Sequence, residues 1–128
     1  MPHLTVEYSA NLAGRADLDQ LCMVLHGAMV QSGLFELGAV RVRALRADHY
    51  AVADLLPENA FAALTLRIGA GRTPEDRKRA GDLIFKAASD ALAPLFGTPH
   101  FALTLEIIEI APQFSWKKNA IHPRLREK

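Results

Sequence analysis

The sequence predicts an α+β fold in which a four-stranded sheet carries two helices on one face. Four segments have the alternating or continuous apolar pattern of strands, and two have apolar residues at helical spacing. They follow one another as strand, helix, strand, twice over, which is typical of two βαβ units. With 128 residues and 14.0 kDa the chain has the size of one domain. We therefore expect a single domain whose two βαβ halves are roughly 1–58 and 59–128.

The first half contains a strand, a helix and a second strand. His3–Tyr8 alternates apolar and polar residues, as a strand does. Asp17 is placed to cap a helix whose apolar residues recur from Leu18 to Met29. Val40–Leu45 alternates valine with arginine, which predicts a strand with two unlike faces.

The second half repeats this order. Phe61–Ile68 is a strongly apolar strand, and Thr73 with Pro74 forms a helix start, with a capping hydroxyl followed by proline at the first position. Phe101–Ile110 is the fourth strand, and from Pro112 onward we expect only a polar tail. The second helix has one predicted apolar stripe: Ala80, Leu83, Ile84, Ala87, Ala88, Ala91, Leu92 and Leu95.

Two helices on one face leave the other face of the sheet uncovered. A chain of this length has no further element to place there. We therefore expect copies of the chain to associate over that face.

The charge balance excludes some classes of function. Fifteen Lys and Arg oppose 14 Asp and Glu, so the net charge is +1 and nothing favours a nucleic-acid partner. No apolar run approaches the roughly 20 residues of a membrane span, and the amino terminus lacks the basic and apolar regions of a signal peptide. We expect a cytoplasmic protein with no membrane partner.

Cysteine and histidine give no sign of a metal site. Cys22 is the only cysteine and falls in the apolar stripe of the first helix, which favours an inert buried thiol over a nucleophile. The five histidines have no metal-ligand spacing. Nucleotide-loop and hydrolase motifs are also missing from the sequence. We expect neither metal nor cofactor.

Three arginines are candidates for holding an anion. Arg41 and Arg43 are two apart on a strand, so they point to one face about 7 Å apart. Arg72 stands at a strand-to-helix turn, where helix amides already favour anions. Guanidinium forks of this kind could hold a substrate with more than one carboxylate. The alternative is that Arg41 and Arg43 line a solvated sheet face.

Pro2 is the candidate for a general base. Removal of Met1 would leave the proline with a free secondary amine. An apolar pocket and neighbouring arginines would both lower the pKa of that amine towards neutrality, where a base is most useful. The alternative is that a proline at this position has no catalytic meaning.

Taken together, these residues resemble the 5-carboxymethyl-2-hydroxymuconate isomerase family of the tautomerase superfamily. The matching blocks stand in the family's order and cover nearly the whole chain: Pro2–Leu4, Glu7–Ser9, Asn11–Leu12, Val40–Arg43, Ile68–Arg72 and Trp116–His122. The resemblance implies a tautomerase-like homotrimer of fused βαβ repeats that works without a cofactor or metal. It also implies the enol-to-ketone isomerisation of a dienol polycarboxylate in homoprotocatechuate degradation, an aromatic catabolic pathway.

The resemblance assigns roles to particular residues. Pro2 matches the family's catalytic proline, and Arg41 and Arg72 match its active-site arginines. Arg43 is a further candidate for substrate binding. Trp116 could form an apolar wall for the substrate, or it could serve packing alone.

Two other functions fit the same residues. One is a non-catalytic trimer that binds a carboxylated metabolite, in which Pro2 is incidental. The other is a tautomerase that acts on a different enol, with one carboxylate rather than three. Rates on enols with one and with three carboxylates would separate the two enzymes, and ligand binding without turnover would indicate the binding protein.

Overall fold

A computed structural model of the chain describes residues 1–127, which contain a four-stranded mixed sheet. The strands are β1 (His3–Ser9), β2 (Arg41–Ala47), β3 (Ala60–Gly69) and β4 (Phe101–Ile110), in the spatial order β2-β1-β3-β4. β1 is parallel to β2, β3 is parallel to β4, and the central pair β1 and β3 is antiparallel. Two βαβ units are therefore joined through their first strands, which confirms the predicted fold class.

Both long helices begin where the capping residues predict. α1 (Leu18–Gln31) starts after Asp17, whose carboxylate accepts a hydrogen bond from the amide three residues on, at 3.0 Å. α2 (Pro74–Ala91) starts after Thr73, whose hydroxyl accepts a hydrogen bond from the amide of Asp76 at 3.1 Å. Each side chain satisfies an amide that the first turn leaves without a partner.

The two helices cover the same face of the sheet and share one core with it. That core holds the buried residues of α1, α2, β1 and β3: Leu21, Leu25, Met29, Ala80, Ile84, Ala88, Leu4, Val6, Leu64, Leu66 and Ile68. The predicted stripe of α2 is too wide, because Leu83 is 40% exposed and Ala91 is exposed as well. The buried residues of α2, which are Ala80, Ile84 and Ala88, recur every four positions along one narrow face of the helix. Leu83, one position before Ile84, therefore lies at the side of that face.

The opposite face of the sheet is not covered by any element within residues 1–127. Along β3 buried side chains alternate with partly exposed ones such as Ala63 and Thr65. Along β4 partly buried side chains alternate with exposed ones such as Thr104 and Glu106. These four side chains lie on the open face, since successive residues of a strand point to opposite sides.

The carboxyl-terminal segment was wrongly predicted to be only a polar tail. It contains a short helix, α3 (Ile121–Arg126). Asn119 starts this helix, since its Oδ1 accepts hydrogen bonds from the amides of Ile121 at 2.7 Å and His122 at 3.1 Å. Its Nδ2 donates to the carbonyl of Gly38 at 3.0 Å, so the same side chain also ties the helix to the segment before β2. As asparagine is a common capping residue, it was a local signal that could have predicted the helix.

None of the helices described, the last of which ends at Arg126, is both long and apolar enough to cross a bilayer.

Candidate active site

The sheet topology gathers the predicted site residues at one edge. β1 and β2 begin there, while β3 and β4 run the other way and end there. Pro2 is buried just before β1, Arg41 is the first residue of β2, and Arg72 follows the end of β3. A cavity of about 380 Å³ lies between Pro2, Arg72 and α3. It is lined by Met1, Pro2, Glu36, Ala39, Arg72, Lys117, Asn119, His122 and Arg126.

A second and smaller cavity of about 200 Å³ adjoins the first at the chain start. Met1 and Lys117 line both cavities. The other residues of the second cavity come from the ends of β3 and β4 and the segment after them: Gly69, Ala70, Ile110, Pro112 and Ser115. Met1 therefore borders both spaces around the start of the chain.

Arg72 is held rigidly in the wall of the first cavity. Its Nη1 donates to the carbonyl of Gly69 at 3.2 Å, and its Nη2 donates to the carbonyl of Leu34 at 3.1 Å. Its guanidinium carbon lies 4.9 Å from the centre of the Phe35 ring, a cation–π contact. Within residues 1–127 no carboxylate pairs with Arg72, so its positive charge is available to an anion in the cavity.

Arg41 lies directly against the start of the chain. Its Nη1 donates to the carbonyl of Ala39 at 2.8 Å and lies 3.1 Å from the sulfur of Met1. Its backbone amide donates to the carbonyl of Pro2 at 3.3 Å, as the parallel pairing of β1 with β2 requires. The structure therefore brings Pro2, Arg41 and Arg72 together. Pro2 and Arg72 line the first cavity, and Arg41 joins them through its contact with Met1.

Arg43 and Trp116 lie outside both cavities. Arg43 is exposed, and its Nη1 is 3.3 Å from Nδ1 of His3 on the neighbouring strand. Trp116 is 86% exposed. A single chain therefore does not bring either of these predicted binding residues to Pro2.

The chain start lies in a positive environment. Burial lowers the pKa of the Met1 α-amine below its ordinary value of 8.0. Three cations lower it further, in the order Lys117, Arg72 and Arg41. Each of these charges disfavours the ammonium form, so an amine here gives up its proton at a lower pH than an exposed one.

Sequence reasoning missed a cluster at the mouth of the first cavity. Glu36 accepts hydrogen bonds from Nε and Nη2 of Arg126, the second of them at 2.6 Å. Nδ1 of His122 lies 3.2 Å from the same carboxylate. The bonds from Arg126 and the nearby His122 lower the pKa of Glu36. Arg126 and Glu36 are 90 positions apart, so no local pattern could have paired them.

Cys22 was expected to be a buried thiol, and the structure places it only partly buried. Cys22 is half-buried on α1, and burial, then the charge of Asp19, raises the pKa of its thiol. A raised pKa keeps the thiol protonated and poorly nucleophilic. Among the residues described, which end at 127, no three His, Cys, Asp or Glu side chains are grouped so that they could hold a metal ion.

The comparisons with known proteins concern first the fold and then the family. A fused 4-OT described as a symmetric trimer superposes with a TM-score of 0.60 over 91% of this chain and 93% of that one; at 18% identity this likeness shows a common fold alone. The sequence model of the 5-carboxymethyl-2-hydroxymuconate isomerase family matches residues 2–125. The 5-carboxymethyl-2-hydroxymuconate Delta-isomerase of Escherichia coli is 35% identical over 122 residues, 95% of this chain and 97% of the relative.

A crystal structure of a 5-carboxymethyl-2-hydroxymuconate isomerase from Deinococcus radiodurans R1 superposes with a TM-score of 0.91 at 40% identity. The match covers 98% of this chain and 94% of that one. The chain belongs to the 5-carboxymethyl-2-hydroxymuconate isomerase family, and it is therefore classed among the isomerases.

Proposed function

We propose that this protein isomerises 5-carboxymethyl-2-hydroxymuconate to its 2-oxo form in homoprotocatechuate degradation, with Pro2 as the base. The observation that carries the proposal is the position of Pro2, buried in the wall of a cavity that also holds Arg72. The named activity of the Escherichia coli relative supports the choice of substrate.

The mechanism begins with removal of Met1, which leaves Pro2 with a secondary amine. The neutral amine takes the proton of the 2-hydroxyl group. As that O–H bond breaks, the C2 carbonyl forms, the C2–C3 double bond moves to C3–C4, and the electrons of the C4–C5 double bond take a proton at C5. The prolinium supplies that proton, so the amine is restored and no cofactor is consumed.

The two arginines bind the substrate and stabilise its charge. The dienol has three carboxylates, and guanidinium forks fit carboxylates well. Arg72 is fixed by two carbonyls and an aromatic ring, so it can hold a carboxylate without reordering. Arg41 lies beside Pro2 and can stabilise the dienolate as the proton leaves.

The positive surroundings suit a base that works at neutral pH. Burial and the three cations that lower the pKa of the Met1 amine will also act on a Pro2 amine formed in almost the same place. The fraction of the amine in the neutral, active form increases as pH rises through the pKa. A lowered pKa therefore keeps activity to a lower pH than an exposed prolyl amine would allow.

We further propose that the active form is a homotrimer whose open sheet faces are covered by neighbouring copies. The uncovered face of β3 and β4 supplies the surface, and the fused 4-OT of the same fold is described as a symmetric trimer.

The test follows the ultraviolet absorbance of the dienol, using protein whose intact mass shows that Met1 is absent. We expect rapid loss of the dienol, and a fall of at least about 10²-fold for Pro2→Ala, the range for a lost acid–base group. Protein that retains Met1 should be inactive, because its proline nitrogen is an amide. Met23→Ala, an exposed change on α1, is the control and should keep the wild-type rate.

Each contrary result has a definite meaning. A near-native rate for Pro2→Ala would remove the proline from the mechanism. A processed protein that leaves this dienol unchanged would be tested next on an enol with one carboxylate.

A further inference from the structure

Five cationic or potentially cationic side chains surround the start of the chain, and they are not equally available to a substrate. Arg126 is already neutralised by Glu36 through two hydrogen bonds, and His122 faces the same carboxylate. Arg41 and Arg72 are the arginines considered above. Lys117 is the remaining cation, and none of the carboxylates described within residues 1–127 lies within ion-pair distance of it.

Lys117 is well placed, because it lines both cavities beside Met1. The segment that carries it is fixed on both sides. The amide of Ser115 donates to the carbonyl of Pro112 at 3.4 Å, and Asn119 donates to the carbonyl of Gly38 at 3.0 Å. The backbone around Lys117 is therefore anchored, while its ammonium stays free to meet an anion.

We propose that Lys117 is a third cationic ligand of the substrate and binds one of its carboxylates beside Arg41 and Arg72. This inference rests on the proposed function. It matches Arg41, Arg72 and Lys117, none of which forms an ion pair with a carboxylate within residues 1–127, to the three carboxylates of the dienol. An ammonium on a flexible stem also accepts carboxylates in more orientations than a guanidinium held by carbonyls.

Lys117 also bears on the proposed base, because a Pro2 amine would form next to the Met1 α-amine. Of the three cations that lower the pKa of that Met1 amine, Lys117 has the largest effect. Removing its charge should raise that pKa and move the acid limb of the pH–rate profile to higher pH. A lysine with only a structural role would not produce this shift.

The experiment compares Lys117→Gln with Lys118→Gln in processed protein. Lys118 is the adjacent lysine, is exposed, and lines neither cavity, so its variant is a matched control. We expect Lys117→Gln to raise the KM for the tricarboxylate dienol about tenfold, the scale of one lost charge-assisted hydrogen bond. An enol with a single carboxylate should show a much smaller change. Lys117→Arg should restore part of the loss because it keeps the charge.

A second measurement follows the pH midpoint at which acetic anhydride modifies the Pro2 amine, read by mass spectrometry. It should rise in Lys117→Gln and stay at the wild-type value in Lys118→Gln. If the two glutamine variants have the same KM and the same midpoint while the wild type turns over the dienol, the inference fails and the proposed function stands.

If the wild type and Lys118→Gln both fail to turn over the dienol, the proposed function fails instead. Calorimetric binding of the same tricarboxylate then decides the role of the lysine. Weaker binding to Lys117→Gln than to Lys118→Gln supports a carboxylate ligand, and equal binding overturns it.

Discussion

Arg72 owes its position to three contacts made by one side chain. Two carbonyls, from Gly69 and Leu34, accept from different nitrogens of the guanidinium, and the Phe35 ring lies beneath it. Lysine cannot reproduce this arrangement, because an ammonium has neither the planar fork nor the flat face that stacks on a ring. The shape of this residue therefore matters as much as its charge.

We expect Arg72→Ala to lower kcat/KM for the dienol by about 10²-fold, as loss of one preorganised donor does. Arg72→Lys should recover little of that loss. Steady-state kinetics of both variants test this, with Arg46→Ala as the control, since Arg46 is an exposed arginine paired with Asp48. Full activity in Arg72→Lys would show that charge alone suffices.

The sequence could predict the residues whose places depend on nearby elements. Pro2 precedes a strand, Arg41 begins one, and Arg72 stands in a strand-to-helix turn. Lys117 could not be singled out in this way, because its place depends on how the segment after β4 packs on the rest of the chain. The same holds for Trp116, whose outward position in one chain no local pattern could indicate.

The helix α3 depends on contacts with distant parts of the chain. It has six residues, too few to be stable alone in water. Asn119 satisfies its first amides, and Glu36 binds Arg126 in its last turn. The Glu36 contact, and the hydrogen bond from Asn119 to the carbonyl of Gly38, tie the helix to the segment just before β2. α3 therefore forms one side of the cavity that holds Pro2.

We expect Glu36→Gln to loosen α3, visible as faster amide hydrogen exchange in residues 121–126. The pKa of Glu36 is lowered by its bonds to Arg126, so its contribution is present above the ordinary pKa of 4.5 and is lost as pH falls through the folded value. In the wild type, the amides of residues 121–126 should therefore exchange faster in that acid range. Glu36→Gln should lack this pH dependence, and an unchanged exchange rate in the variant would contradict the role of the ion pair.

The long elements were predictable because each carries its own signals. Asp17 and Thr73 cap their helices as the sequence indicates, and the strands follow from an alternating or a continuous apolar pattern. α3 was missed because its contacts with the rest of the chain are made to Glu36 and Gly38, which lie more than 80 positions away, and because its one local signal, Asn119, was not used.

At the scale of the whole molecule, the dominant feature is a sheet that residues 1–127 cover on one side only. The helices bury the face that contains Leu64 and Leu66, while Thr65 between them points to the open side. The proposed trimer would bury that open side. A charge placed at its centre would then have no partner and would oppose assembly.

We expect Thr65→Arg to convert the trimer to single chains, measured by light scattering after size exclusion. Met23→Arg introduces the same charge on the exposed surface of α1 and should leave the assembly intact. A trimer that survives Thr65→Arg would show that copies associate through another surface.

The antiparallel pairing of β1 with β3 also places the starts of the two halves in different surroundings. The two halves look like a duplicated unit, yet their first strands start at opposite edges of the sheet. Asn59 precedes β3 as Pro2 precedes β1, and it is buried, with its side chain bonded to Asp54 and Val52. Its nitrogen lies in a peptide bond that no processing at the chain end can free. One chain with two βαβ units therefore offers a single amino-terminal amine, at the edge of the sheet where β1 begins.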